Sequence, residues 1–275
     1  MDLDMRKLRY FVAVAEQQHF GRAADQLYIA QPVLSRQIRS LEQDLGFALF
    51  ERTTRSVHLT AAGEQLLSEA VVVLASVDAA LRRVREASRG VERLVVAFSP
   101  GMGVSKPIRA FNAQYPNVEV DLLQLKWWEQ DAPLRDGRAD VGYLRRPFDD
   151  TGLRVIPIGR DRMVACLPDS HRLARRRTLR MADLDGENIL DQPARRTSSI
   201  EEKFELIAVG HSIGLMPRGI AAAYSRPEFA YVPVTDAEPV ETCLAVAKSR
   251  RERRIRDFLR LATASLQARP LAAVD

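Results

Sequence analysis

Residues 23–60, AADQLYIAQPVLSRQIRSLEQDLGFALFERTTRSVHLT, predict two helices and a short hairpin in one continuous run. The small side chains of Ala23 and Ala24 favour a first helix that packs closely on its neighbours. After a brief turn, Pro32 predicts the start of a second helix, because its missing N–H breaks no hydrogen bond in a first helical turn. The apolar residues that recur at helical spacing and predict its buried face are Leu34, Ile38, Leu41 and Leu45.

The other face of this second helix is polar and basic. Its side chains are of the types that donate hydrogen bonds to phosphates and base edges: Gln31, Ser35, Arg36 and Arg39. After Gly46, residues 50–59 predict two short strands that form a wing carrying Arg52 and Arg55. Because a helix-turn-helix with a basic wing fits the grooves of DNA, these side chains are predicted DNA contacts.

The run FVAVAEQQHFGRAADQLYIAQPVLSRQIRSLEQDLGFALFERTTRSVHLTAAGE, residues 11–64, resembles the N-terminus of LysR-type bacterial transcriptional regulators. The likeness is dense from Met5 to Glu64 and looser over the rest of the chain. It implies a C-terminal effector-binding domain similar to a periplasmic solute-binding protein. The positions that match the family's recognition helix are Gln31, Pro32, Ser35 and Arg36.

The length and composition fit a two-domain protein with a DNA partner. The chain has 275 residues, 46% of them hydrophobic and 28% charged, as in ordinary soluble proteins. It has no apolar run of membrane-spanning length and no signal-peptide pattern, so a cytoplasmic protein without a membrane partner is expected. The net charge of +5 supports DNA binding only weakly, because much of the excess positive charge lies outside the helix-turn-helix, at Arg172, Arg175–Arg177 and Lys248–Arg256. Such basic runs are usually solvated faces.

The expected fold class is α/β, with a long helix between the winged helix-turn-helix and a two-subdomain effector domain. From residue 91 onward, compact apolar strands alternate with helices, which indicates a sheet covered by helices. The expected domains are the DNA-binding domain (1–60), the linker and dimerisation helix (61–90) and the effector-binding domain (91–268), in which subdomain I covers 91–160 and 240–268 and subdomain II covers 161–239.

The linker helix is expected between Thr60 as N-cap and Gly90 as stop. Its apolar residues are spaced alternately three and four apart, at Leu67, Ala70, Leu74, Val77, Leu81 and Val84. Such a seam favours the pairing of two chains, and a homodimer or homotetramer is expected. The alternative is one amphipathic helix packed on its own domain.

The loop 99–106 follows a strand and precedes a helix, but a third glycine and a downstream acidic partner are missing, so no dinucleotide site is expected. A helix start here would instead hold an anion. The resemblance places Ser99, with Pro100 beside it, and Arg145 at effector-contacting positions. For Arg145 a structural salt bridge is the alternative.

Trp127 and Trp128 depart from the family pattern and favour a flat or apolar ligand, although both rings could simply cover the cleft floor. The segment 191–199 is shorter than in relatives, so the second subdomain is expected to be trimmed. This leaves a constitutive regulator with a vestigial pocket as the alternative to an effector-responsive one.

No catalytic residue, metal site or cofactor is expected, since the four histidines share no ligand spacing with each other or with the cysteines. Cys166 and Cys243 are interpreted as reduced, partly buried thiols rather than a redox pair. The predicted function is sequence-specific transcriptional regulation rather than enzymatic activity. The expected partners are double-stranded promoter DNA, a small anionic or aromatic effector and, as an open alternative, RNA polymerase.

Overall fold

A computed structural model describes residues 3–52, 57–126, 129–190 and 199–267. The chain divides into two compact units. The first comprises Met1–Arg85 with Asp136–Arg138, and the second comprises Glu86–Arg135 with Ala139–Asp275. Among the described residues, no helix combines the length and the apolar character that crossing a membrane requires.

The first unit contains four helices and a two-stranded wing. Their bounds are α1 Met5–Gln17, α2 Phe20–Gln26, α3 Gln31–Leu45, β1 Phe50–Arg52, β2 Val57–Leu59 and α4 Ala61–Ser88. Side chains fix the helix starts: Asp4 accepts a hydrogen bond from the backbone of Arg6 at 2.7 Å, and Nδ1 of His19 accepts one from the backbone of Arg22 at 3.2 Å. Gly46 ends α3 with a φ of 83°, a left-handed conformation that glycine adopts without strain.

The core of this unit lies between α1, α2, α3 and the start of α4. Phe11, Leu34 and Ile38 are fully buried there, and the rings of Phe11 and Phe50 lie 5.4 Å apart. The hairpin in residues 50–59 is antiparallel, and its register places Phe50 opposite Leu59. The two helices and the hairpin that the sequence predicts are therefore confirmed.

The start of α4 is held by contacts with the residues just before the wing. Thr60 Oγ1 accepts a hydrogen bond from Gly63 N at 3.0 Å, as an N-cap does, and donates one to the carbonyl of Ala48 at 2.9 Å. A Cβ on Gly63 would lie 2.2 Å from the carbonyl oxygen of Leu49, so only glycine allows this approach. The helix expected between Thr60 and Gly90 is confirmed.

The first part of the apolar seam of α4 packs within its own unit. Ala70 and Leu74 are buried in the core of their own unit, and Leu67 packs against that core. The prediction that Leu74 holds two chains together is therefore wrong, because its side chain already has intramolecular neighbours. Exposed apolar surface lies further along the helix, where Leu81 is 48% and Val84 66% exposed.

The second unit contains two sheets. One has the strand order β4-β3-β5-β11-β6, with β3 Glu92–Phe98, β4 Val118–Gln124, β5 Val141–Arg145, β6 Leu153–Asp161 and β11 Val240–Ala247. The other has the order β10-β7-β9-β8, with β7 Met163–Pro168, β8 Ile189–Leu190, β9 Ile213–Pro217 and β10 Phe229–Pro233. The helices are α5 Ser105–Gln114, α6 Ala132–Arg135, α7 Ile200–Ala208, α8 Arg218–Ala223 and α9 Arg253–Gln267, with a short 3₁₀ turn at Met181–Leu184.

The chain changes sheet after β6 and returns with β11. β3 pairs in parallel with β4 and β5, whereas β11 runs antiparallel to both β5 and β6. Within the second unit, the strands up to residue 161 and those from residue 240 onward form one sheet. The strands between them form the other sheet. This division agrees with the two subdomains that the sequence suggests, whose limits stay a prediction. The strand β6 was not expected from the sequence.

Candidate DNA-binding surface and effector pocket

The α3 helix in the first unit holds one face in the core and the other in solvent. Leu34, Ile38 and Leu41 are fully buried, which fixes the rotation of the helix about its axis. Glu42 fixes its far end to the wing, because its carboxylate accepts hydrogen bonds from the backbone N–H groups of Leu49 and Phe50 at 3.0 and 3.2 Å. The exposed side chains of α3 are thus carried on a rigid support.

The predicted contact residues of α3 lie on this outer side. Gln31, Pro32, Arg36 and Arg39 are exposed, and Ser35 is half-buried. The stretch from Gln31 to Arg39 rises about 12 Å along the helix, a length that fits within a major groove. The N-cap residue Ala30 makes no side-chain capping hydrogen bond, and the backbone N–H of Val33 in the first turn donates to the Ala30 carbonyl at 2.9 Å.

The predicted wing contacts are only partly covered by the structure. The backbone of Arg52 belongs to β1 and pairs with Val57. Arg55 lies outside the described residues. The contacts of both arginines with DNA therefore stay a prediction.

A residue that the sequence reasoning did not single out lies in the turn before α3. Tyr28 is 94% exposed and has a φ of 54°, a backbone conformation uncommon for residues other than glycine. A bulky aromatic residue held in this conformation beside the start of α3 is a further candidate contact. A single sequence gives no signal for it, because a tyrosine in a turn is ordinary.

The second unit contains a pocket of about 460 Å³ that residues from both sheets line. Its apolar lining includes Leu125, Leu215, Met216, Ile220 and Val240. The charged residues that line it are Lys126, Arg145, Arg146, Glu201 and Lys203. A pocket with apolar walls and several cations suits a small organic anion.

Ser99, Pro100 and Arg145, which the sequence places at the effector site, all line this pocket. Ser99 is buried and donates a hydrogen bond to Gln130 Oε1 at 2.6 Å, and the same oxygen accepts from Arg145 N at 3.2 Å. The sequence reasoning missed Gln130, which joins the ends of β3 and β5. Trp127 and Trp128 lie outside the described residues.

The Arg145 guanidinium is already neutralised. Its Nη2 lies 2.9 Å from Asp161 Oδ2, and its Nη1 donates to the carbonyl of Pro100. Asp161 in turn accepts a hydrogen bond from Gly219 N at 3.0 Å. Gly219 and Gly101 approach so closely that a Cβ on Gly101 would lie 2.5 Å from the Gly219 carbonyl. The structural salt bridge that the sequence left open is therefore present, and an effector contact of Arg145 stays a prediction.

The helix start that lines the pocket differs from the expected one. Of the loop 99–106 before α5, only Ser99 and Pro100 line it, whereas Ser199, Ile200 and Glu201 at the start of α7 also do so. Ser199 caps α7 by accepting a hydrogen bond from Glu202 N at 3.1 Å. The start of α7 therefore lines the pocket where the start of α5 was expected to, and anion binding at the α5 start stays a prediction.

The remaining polar chemistry is structural. Cys166 and Cys243 are buried free thiols, and burial raises the pKa of each to about 12. Both side chains are fully buried rather than partly buried, and their reduced state stays a prediction. The histidine His19 caps α2, and His171 contacts Glu187 at 3.2 Å. Within the described part of the chain, no group of three or more metal-ligating side chains comes together.

Comparisons with known proteins decide the family. Residues 5–64 match the family model of the bacterial regulatory helix-turn-helix protein, lysR family, and residues 87–194 match the LysR substrate binding domain. BudR, an HTH-type transcriptional regulator of Raoultella terrigena, is 30% identical in an alignment that covers 94% of this chain and 100% of BudR. The chain belongs to the LysR family. The resemblance seen in residues 11–64 is thereby confirmed.

Two further relatives extend this LysR assignment. YnfL of Escherichia coli (strain K12), an uncharacterized HTH-type transcriptional regulator, is 40% identical in an alignment that covers 68% of this chain. This chain covers just under two thirds of YnfL, 65% of its length. The crystal structure of full-length CbnR complexed with its target DNA matches with a TM-score of 0.65 at 25% identity, covering 96% of this chain and 100% of CbnR.

These relatives confirm two expectations from the sequence. The match to full-length CbnR confirms the α/β fold class with an N-terminal helix-turn-helix and a C-terminal substrate-binding domain. The curated relatives are transcriptional regulators, in agreement with the expectation that this LysR family member is not an enzyme.

Proposed function

We propose that this LysR family member regulates transcription by binding promoter DNA specifically through α3 and the wing. The observation that carries the proposal is the exposed face of α3, where Gln31, Arg36 and Arg39 stand opposite a fully buried apolar face. CbnR, which shares the fold, is seen on its target DNA. Side chains of these types at the start of a recognition helix read base edges and phosphates.

The test is a gel-shift titration of the full chain against the intergenic DNA upstream of its own gene, with a scrambled fragment of equal length as competitor. Specific binding is expected to persist in excess scrambled DNA and to protect one region from nuclease. A chain that shifts both fragments equally would be a non-specific DNA-binding protein, and the proposal would fail.

We further infer that the chain acts as an oligomer through α4, as a homodimer or homotetramer. The apolar residues that support this form one helical stripe on the second half of α4: Val73, Val77, Leu81 and Val84. Val73, Leu81 and Val84 are 38%, 48% and 66% exposed. An apolar stripe of this kind is stabilised when a second helix covers it.

We also propose that the pocket binds a small anionic or aromatic effector, which changes promoter binding. The supporting observations are the apolar walls and the two lysines that line the pocket, Lys126 and Lys203. The alternative is a constitutive regulator with a vestigial pocket. That alternative is favoured by the Arg145–Asp161 pair, since a guanidinium that is already neutralised attracts an anion weakly. It is also favoured by the end of the substrate-domain match at residue 194, close to the expected shortening.

A further inference from the structure

The two helices α5 and α9 of the second unit form a cationic surface that the proposed function does not use. They pack side by side, with the rings of Phe111 and Phe258 5.5 Å apart and the Tyr115 hydroxyl donating to the Asp257 carboxylate. Their buried sides belong to the core below the five-stranded sheet. Their outer sides therefore face solvent together.

The outer side of α9 carries a row of arginines. Arg253, Arg256 and Arg260 are spaced three and four residues apart, which places them on one face of the helix. All are exposed, and the side chains of Arg253 and Arg260 are 84% and 66% exposed. The row extends about 10 Å along the helix axis.

One carboxylate faces this row. Asp257 is the single acidic residue in the sequence of α9, and its oxygens lie 3.6 Å from Arg253 Nε and 3.7 Å from Arg260 Nη2. The hydrogen bond from Tyr115 and the charges of the three arginines lower the pKa of Asp257. One carboxylate, already bonded to a tyrosine, leaves the row with a clear excess of positive charge.

The neighbouring helix adds to this excess. The sequence of α5 has no acidic residue, and its Lys106 and Arg109 are both exposed. A solvated surface usually mixes charges of both signs. Such mixing occurs just before α9, where Arg250 pairs with both Asp140 and Glu252. Two adjoining helices whose charged residues are, apart from Asp257, all cations fit a polyanion instead.

We propose that the outer face of α5 and α9 binds the phosphate backbone of duplex DNA, as a second contact outside the helix-turn-helix. The regular spacing of the arginines suits successive phosphates, and guanidinium groups bind phosphates in a bidentate way. Such contacts add affinity without sequence information. This second contact depends on the proposed function in one respect, because both take DNA as the partner.

The test measures how binding of the full chain to random-sequence duplexes of about 20 and about 60 base pairs depends on salt. The variant is the triple substitution Arg253→Gln, Arg256→Gln and Arg260→Gln. The control removes the same charge from the other basic run, by Arg175→Gln, Arg176→Gln and Arg177→Gln. On the long duplex the α9 variant is expected to lower the slope of log K against log salt by about two to three, and the control to leave it unchanged.

A second measurement locates the DNA directly and does not depend on changing the arginines. Because Cys166 and Cys243 are buried, a cysteine introduced by Ala264→Cys on the exposed side of α9 takes up a DNA-cleaving label selectively. Cleavage of the long duplex is expected from this position and not from the exposed control Thr178→Cys. Equal cleavage from both positions, or none from Ala264→Cys, would contradict the proposal.

The remaining outcomes separate this inference from the proposed function. If the wild-type chain binds neither duplex, the proposed function itself fails. If it binds both duplexes and the α9 variant keeps the wild-type salt slope, only the second contact is excluded. If the variant binds DNA normally but gives less transcript with purified RNA polymerase, the face serves an acidic protein surface and the DNA assignment is overturned.

Discussion

Arg36 stands between two anchored positions of α3. Leu34 and Ile38 are fully buried on either side of it in sequence, so the helix cannot rotate to hide the guanidinium. The side chain is exposed and lies one turn after Pro32. An arginine in this position reaches base edges when the helix start enters a major groove.

The variant Arg36→Ala is expected to weaken binding to the specific site by about 1–3 kcal/mol, because a bidentate contact to a base is lost. Binding to random DNA should fall much less. Fluorescence anisotropy with both duplexes measures the two losses, with exposed Arg175→Ala in the second unit as the matched control. Equal losses on both duplexes would make Arg36 a phosphate anchor rather than a base-reading residue.

The two cysteines allow a prediction about pH. Burial raises the pKa of both Cys166 and Cys243 to about 12, above the value near 8.5 of an unfolded thiol. Because the thiolate is the reactive form, native protein at pH 8 should not react with a disulfide reagent, whereas denatured protein should release both equivalents. The raised pKa also means that folding loses stability as the pH rises from about 9 toward 12, since the unfolded chain ionises first.

Absorbance of the released thiol, followed at pH 8 before and after adding denaturant, checks this expectation. Rapid reaction of either cysteine in the native protein would show an accessible thiolate. It would also reopen the interpretation of the pair as a redox sensor.

The helix α4 has two apolar stripes that differ in burial. The first half contributes Ala70 and Leu74 to the core of its own unit, and the second half exposes Leu81 and Val84. Periodicity along the sequence locates apolar residues on a helix, but it cannot say which surface covers them. That is why the sequence assigns one continuous seam where the structure shows a change from buried to exposed apolar residues near the middle of the helix.

The double variant Leu81→Asp and Val84→Asp is expected to give a folded monomer, because it places charges in the stripe left for a second helix. Leu74→Ala should instead keep the oligomer while lowering the free energy of unfolding by about 2–5 kcal/mol. Light scattering reports the mass and thermal unfolding reports the stability. If the double variant keeps the wild-type mass, α4 is not the oligomer interface.

The strand β6 shows where sequence patterns fail for a single element. Pro157 and Gly159 interrupt its apolar residues, and both residue types argue against a strand. In the structure they lie opposite Cys243 and Thr242, where the register shifts by one residue. The bulge accommodates both of them at the sheet edge. The strand β3 has neither residue type, and it forms within a compact apolar run of the kind that predicts a strand.

In the molecule as a whole, the sequence predicts the DNA-binding surface better than the pocket. The predicted α3 contacts lie within nine consecutive residues, from Gln31 to Arg39, whose exposure follows from helical periodicity. The pocket combines residues distant in sequence, such as Ser99, Arg145 and Lys203. The ion pair of Arg145 with Asp161 forms only when the crossing strand β6 is placed beside β11. No spacing in the sequence shows that contact.

The pocket itself decides between a responsive and a constitutive regulator. Its walls are largely apolar and its cations include Arg146, which is already paired with Asp150 at 2.8 Å. A ligand therefore gains mainly from burial and only partly from charge. Small carboxylates and aromatics are expected to bind with affinities on the order of 10 µM to 1 mM, roughly −7 to −4 kcal/mol.

The measurement uses the full chain and a panel of small carboxylates and aromatics, followed by melting temperature and by the fluorescence of Trp127 and Trp128, the two tryptophans of the sequence. Ile220, which lines the pocket, provides the control: Ile220→Phe fills part of the cavity and should abolish the response while promoter binding stays intact. A response that survives Ile220→Phe would place the ligand elsewhere. A panel that changes neither signal in the wild-type chain would favour the constitutive regulator, because a cavity of this size with apolar walls should stabilise the fold when any fitting ligand occupies it.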